Sequence, residues 1–568
     1  MQQPMNFLFK FIRLAKPFWC SEHKTIIRWQ SLGLIMLTIL QIGLAVTITE
    51  WNAALFNALE QRSMPALLTQ ISLLTLIFAA SMAVTASHLV IKRKLQIGWR
   101  NWLTTRVTRQ WMSKGHHYQV THIQTAEHDN PDGRIAEDIA IATENAIALC
   151  HSLFYSLLML ISFTKILWTL SGTVPLTLGT LTIPIYGHLV WVALIYAIGA
   201  SILGWWIGRP LTLATHEKQS AEANYRYGLV KARENSQAIA LIYGENNEQK
   251  RLAGLFKQIV NTFNQQTQAW KSILLFTSGY SILSMAFPIL LSAPRFIMGS
   301  ITLGALMQSA QAFQQLTSAL SWPVDNMAGV AQWRASVERV LNLVQALEDL
   351  EQEIARPDPH RIALKKNEDS ILSFQQLCIR DPNDEVITAS LTVDIALGDR
   401  VLIVGDSTTS AKLFKAIAGL WPWGCGQISL PDGDPMFFMP PLPYLPDGTL
   451  RAAICYPAAA NTFSQSQLED ALKQAELSTL TEQLDTIEVW EKVLSREQQQ
   501  RLGAVRLLLN RPKWILIQEA FDSLDMEGEN KIIRIIFAAL PDASVLTVSN
   551  HCAPEGQCAD EHQRQIIL

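Results

Sequence analysis

Six apolar runs govern what this chain can fold into, near residues 31–49, 67–91, 146–170, 185–208, 272–293 and 300–322. A helix needs about 20 mostly apolar residues to cross a bilayer. Nothing in the hydrocarbon can satisfy an open backbone, so runs of this length predict membrane helices. The sixth carries Gln308, Gln311, Gln314 and Gln315, which predicts one face turned toward water or other helices. Basic residues orient the set. Lys10, Arg13, Lys16, Lys24 and Arg28 precede the first run, and Lys92, Arg93, Lys94, Arg100, Arg106 and Arg109 follow the second. Residues 209–271 are also charge-rich, whereas 171–184 carry no charge. Six spans with both termini cytoplasmic follow.

The rest of the chain differs in kind. Residues 5–28 alternate apolar positions with Lys10, Arg13 and Lys16, which predicts an amphipathic helix on the membrane surface. The start has no signal-peptide apolar core and no A-x-A site. The charged stretches 92–145 and 209–271 have helical periodicity and read as membrane helices continuing into the cytosol. Residues 345–370 are polar and proline-broken, a linker. From 371 to 568 short apolar strands alternate with helical runs, the α/β pattern. The domains are therefore 1–30, 31–344, 345–370 and 371–568. A 49% hydrophobic and only 17% charged composition fits this membrane-plus-soluble division, and a net charge of −3 gives no attraction to nucleic acid. Seven scattered cysteines form no dense disulfide framework.

Val401–Gly426 reads as a buried strand, a tight turn and a helix start, the place for a phosphate-binding loop. The pattern G-x-x-x-x-G-K-[ST] is not met. Counting from Gly405, its last three positions hold Ser410, Ala411 and Lys412, and Leu413 follows instead of a hydroxyl residue. Ser407 lies inside the loop. One residue of displacement turns a helical side chain by roughly 100°. Lys412 is thus offset from a β/γ-phosphate, and a Mg²⁺ ion loses its hydroxyl ligand.

Longer stretches bring a family into view: WNAALFNALEQR (51–62), LQIGWRNWLT (95–104), NPDGRIAEDI (130–139), SFTKILWTLSG (162–172), EANYRYGLVKARENSQAIALIYGE (222–245), LTLGALMQSAQAFQQLTSALSWPVDN (302–326) and AIAGLWPWG (416–424). With them the chain resembles ABC half-transporters of the ABCD type, within the bacterial group related to SbmA and BacA. The resemblance implies an exporter-type fold of six membrane helices plus a cytoplasmic α/β nucleotide-binding-type domain. It also implies a bacterial inner-membrane location and a pore at the axis of a homodimer. An intact half-transporter is the alternative partner, and the lipid bilayer and a transported solute complete the set.

The other family motifs are altered too. WILIQEAFDSLD offers Gln518 where an Asp would hold Mg²⁺, then Glu519, a candidate catalytic base. LSREQQQR keeps Ser495 of the signature but puts Glu497 where the family has glycine. Pro441 stands where a glutamine is expected, and LTVSNHCAP gives Asn550 or His551 as the switch residue. Gly405, Ser407, Lys412, Ser495, Gln518 and His551 thus mark a degenerate site in which ATP and Mg²⁺ binding is doubtful and hydrolysis by a homodimer is not expected. SbmA-like members without a motor domain are proton-driven, which makes Glu137, Asp138, Glu222 and Glu234 candidates for proton coupling. Ion pairing on helix surfaces is their simpler role. Lys165 and His188 are ionisable groups within the spans. His551, Cys552, Cys558 and His562 have no standard metal spacing. The expected cargo is a large hydrophilic or amphipathic solute such as a peptide or a cobalamin-like compound. The alternatives are an ATP-driven transporter with unusual but competent motifs, and a membrane scaffold that moves nothing.

Overall fold

The computed structural model describes residues 4–122, 130–178, 181–355, 361–367, 370–381, 385–388, 390–433, 436–549 and 564–567. The chain divides into two units: residues 1–110 with 130–345, and residues 111–129 with 346–568.

The first unit is helical. Its elements are α1 (Pro4–Ala15), α2 (Lys24–Glu60), α3 (Met64–Met112), α5 (Ile139–Ser171), α6 (His188–Glu234), α7 (Ser236–Leu241), α8 (Glu245–Ile297), α9 (Leu303–Asp325) and α10 (Met327–Ala355). Helix α4 (His116–His122) belongs to the second unit. Among the described residues, five helices, those holding α2, α3, α5, α6 and α8, are long and apolar enough to cross a membrane. The sixth, α9, is only 23 residues long and carries the glutamines. Its buried face, with Ala312, Phe313 and Leu316, packs into a core with Ile42, Phe163, Leu167 and Leu189. Gln311 accepts a hydrogen bond from Asn52 Nδ2 at 3.0 Å, so the glutamine face is partly engaged by α2. Gly304 donates its N–H to Asn57 Oδ1 at 3.0 Å, and a Cβ there would stand 2.2 Å from the Ala53 carbonyl oxygen. The two backbones touch only because that side chain is absent.

Three local expectations change. The amphipathic N-terminal stretch is not one helix: α1 stops at Ala15, a short 3-10 turn spans Phe18–Cys20, and α2 starts at Lys24. Pro17 causes the break, since proline disfavours a helical residue before it. The uncharged turn 171–184 is instead a hairpin, β1 (Thr173–Leu178) against β2 (Leu181–Tyr186), with Pro175 opposite Pro184. The stretch 345–370 holds the end of α10 and strand β3 (Ala363–Asn367) rather than bare linker.

The second unit carries two sheets. Strands β4 (Ile371–Ile379), β5 (Leu391–Ala396) and β7 (Gly424–Pro431) join β3 in the order β3-β7-β4-β5. A parallel sheet holds β6 (Arg400–Val404), β8 (Met436–Met439), β9 (Trp514–Gln518), β10 (Ser544–Ser549) and β11 (Arg564–Ile567), in the order β11-β6-β10-β9-β8. Its strands read as continuous apolar runs because helices cover both faces. Val401, Ile403, Leu516, Leu546 and Val548 are each at most 2% exposed in the core they share with Leu413 of helix α11 (Ser407–Ile417). Helix α12 (Arg496–Asn510) and helix α13 (Met526–Ala539) flank this sheet. The scattered cysteines include one bonded pair: a disulfide joins Cys378 on β4 to Cys425 on β7.

Candidate nucleotide site

Strands β6 and β9 run parallel with β10 between them, so Gly405 and Gln518–Glu519 emerge at one edge of the sheet. Two strand spacings separate them, about 10 Å. This carboxyl edge is where α/β sheets bind ligands. The α11 N-terminus opens there, with its unpaired N–H groups favouring an anion. The chain supplies that anion itself. Asp406 is the N-cap, and its Oδ2 accepts from Thr409 N at 3.0 Å. Hydrogen bonds from Thr409 hold the Asp406 carboxyl below the usual carboxylate range.

Lys412 points to another partner. Its Nζ lies 3.4 Å from Asp381 Oδ1 and 5.1 Å from the centre of the Trp421 ring. Trp421 Nε1 in turn donates to the Arg380 carbonyl at 3.0 Å. Leu413 is fully buried in the core. Ser410 is also fully buried, and its Oγ has no hydrogen-bond partner among the described residues. Gln518 ends β9 at 8% exposure. Glu519 follows with φ +44°, a left-handed conformation that L side chains seldom adopt, and donates its N–H to Val548 O at 3.2 Å. Such strain clusters at functional edges.

Ser495 is the N-cap of α12 in a capping box: its Oγ accepts from Gln498 N, and its N–H donates to Gln498 Oε1. Glu497 pairs with Arg501 at 3.0 Å, and Arg501 with Glu476 at 2.7 Å. Sequence reasoning missed Gln500, which is fully buried. Its Nε2 donates to Pro441 O at 2.9 Å and to Asp522, and its Oε1 accepts from Ser523 N at 3.0 Å. One amide thus ties the turn at Pro441, the start of α12 and the turn after β9. The third glutamine of LSREQQQR was the signal, but its partners lie 22 and 59 residues away. His551 and its neighbours Asn550, Cys552, Cys558 and His562 lie outside the described residues.

The turn after α11 also receives α4. Gln119 Nε2 donates to Gly419 O at 3.2 Å, and Lys415 Nζ lies 5.6 Å from the centre of the Tyr118 ring. The charged stretch 92–145 therefore contributes its tip to the α/β unit.

The proton-coupling candidates do not converge. Asp138 is held bidentately by Arg339, with Nε–Oδ2 at 2.7 Å and Nη2–Oδ1 at 2.5 Å. Glu222 makes an i,i+4 pair with Lys218 at 3.6 Å. Glu137 and Glu234 are exposed, and Glu234 stands 12 residues beyond Glu222 on α6, about 18 Å along the axis. Lys165 is an exposed side chain on α5, and His188 is the first residue of α6.

Residues 15–297 match the family ABC transporter transmembrane region 2. The chain is 28% identical over 546 residues to an inner membrane ABC transporter ATP-binding protein of Escherichia coli, covering 95% of this chain and 94% of that one. It is 26% identical to the chloroplastic ABC transporter D family member 2 of Arabidopsis thaliana, covering 93% and 82%. It is 22% identical to the lysosomal cobalamin transporter of Homo sapiens, covering 94% and 90%. Among solved structures, a bacterial Atm1-family ABC exporter with ATP bound matches at TM-score 0.65 and 16% identity, covering 96% of this chain and 94% of that one. That likeness shows the exporter fold.

Proposed function

Taking this chain as an ABC transporter of the ABCD type, with the type 2 transmembrane region over residues 15–297, we propose that it imports large hydrophilic or amphipathic solutes without splitting ATP. It works as a homodimer in a bacterial inner membrane, with both termini cytoplasmic, and an ion gradient drives it. The E. coli relative supports the membrane, and the human relative's name supports cobalamin-like cargo beside peptides. Within this reading the chain stands near the SbmA/BacA group.

The observation that carries the reading is the α11 N-terminus. A phosphate arriving there meets the Asp406 carboxylate already bonded to Thr409 N. Like charges at that range repel. The lysine that would answer a phosphate is paired with Asp381 and seated on Trp421. Gln518 brings no charge to a metal, and Glu497 adds a carboxylate near the signature turn. ATP and Mg²⁺ therefore do not fit these residues. The α/β unit keeps its sheets and its grip on α4, which suits dimerisation or regulation.

Reconstituted liposomes test this. Solute uptake under a pH gradient, without ATP, is the expected result. Mg-ATP turnover by the purified full-length chain that disappears in Glu519→Gln would favour the ATP-driven alternative and refute the proposal. Absence of flux under every driving force would leave a scaffold.

A further inference from the structure

Two histidines in the membrane helices enter none of the arguments above. His88 lies on α3 and His151 on α5, 63 residues apart in the chain. Their Nε2 atoms are 2.7 Å apart and their ring centres 4.3 Å apart. At that distance one nitrogen carries a proton and the other offers its lone pair. The bond exists while both rings are neutral, and it exists when one is an imidazolium. It cannot exist when both are, because each nitrogen would then present a hydrogen to the other.

The surroundings make the second proton decisive. His88 is 8% exposed. Lys92, one helical turn beyond it on α3, is a cation whose charge acts on both rings. On α5 the titratable neighbours are Cys150 and Tyr155, whose ring centre lies 6.3 Å from that of His151. His151 also lines a cavity of about 360 Å³ whose α1 and α2 walls, including Phe11 and Thr38, carry no charge. From α9, Trp322 donates its indole N–H to Ser152 Oγ at 3.0 Å, also without charge. None of these described neighbours is a carboxylate, so none of them compensates two positive rings. Ionisable groups at membrane depth mark ion pathways by default.

We propose that His88 and His151 form the proton-binding site of this transporter: the shared hydrogen bond clamps α3 to α5, and entry of a second proton releases the clamp. The proposal rests on the ion-gradient reading above. It also moves proton coupling away from Asp138, which Arg339 occupies.

The test uses the full-length chain in lipid nanodiscs. The exposed free thiols among the described residues, Cys20 and Cys150, are replaced by serine, as are Cys552 and Cys558, and spin labels are placed at Leu89→Cys and Leu153→Cys, two exposed positions beside the pair. Labelled chains are diluted with unlabelled ones so that distances within one chain dominate. Lowering the pH from about 8 to about 4 is expected to raise the share of a second, longer distance about threefold or more. The double variant His88→Gln, His151→Gln keeps an amide bond that cannot take the second proton, and its distances are expected not to move. A parent distance that stays fixed over that range overturns the proposal, and so does an equal response in the double variant. Should the variant fail to fold, the parent titration alone decides. A second arm measures uptake under a pH gradient. A responding distance with no gradient-driven uptake keeps the site and refutes the transport reading. Gradient-driven uptake that persists in the double variant refutes the site.

Discussion

Removing the Arg339 side chain should strand a carboxylate. The Asp138 side chain is only 10% exposed, whereas that of Arg339 is 49% exposed. Breaking a fully buried ion pair costs about 3–5 kcal/mol, and a fully exposed one under about 1. With one partner buried and the other half in water, Arg339→Ala should cost about 1.5–3 kcal/mol. At roughly 2–4 °C per kcal/mol for a domain of 150–250 residues, the melting temperature in detergent should fall by roughly 3–12 °C. Asp138→Ala should cost less, since it leaves a cation that reaches water. The double alanine variant should recover part of the sum, with a coupling of about 1–2 kcal/mol. Additivity within about 0.5 kcal/mol would refute the pair as a structural tie. Asp138→Asn that leaves the melting temperature alone but abolishes gradient-driven uptake would return Asp138 to the proton path.

Two further outcomes follow from packing and charge. Gly304→Ala should part α9 from α2, because the new Cβ would sit 2.2 Å from Ala53 O; we expect a loss of about 1–3 kcal/mol in thermal unfolding, and no loss would refute the close approach. Lys531 and Arg501 hold the Glu476 carboxyl below its ordinary value of 4.5. A lowered carboxyl stabilises the fold above that ordinary value, and its contribution is lost as pH falls through the lowered one. The stability gap between the wild type and Glu476→Gln should therefore be present at neutral pH and close in strong acid; a gap independent of pH would refute the pairing.

The membrane helices were legible because a span of about 20 apolar residues has few other uses. The strands of the α/β unit were legible for a similar reason: WILIQ and SVLTVS are short, apolar and bounded by polar turns. The hairpin after α5 was not, since Pro175 and Pro184 argue against a ladder in sequence and are tolerated only because the hairpin has two edges. At the candidate nucleotide site, the displacement of Lys412 could be counted along the chain. Its destination could not, because Asp381 is 31 residues away and is brought near by the fold. The same holds for the His88–His151 bond, where two unremarkable residues acquire meaning only when α3 and α5 come side by side.

The turn from Gly419 to Trp421 is gripped on two sides, by Gln119 of α4 and by the lysine stacked on its indole. A push on the loop helix must therefore strain the same few peptide units that seat Lys412. A segment wired this way resists movement as a spring does, returning strain to the helix that pushed it.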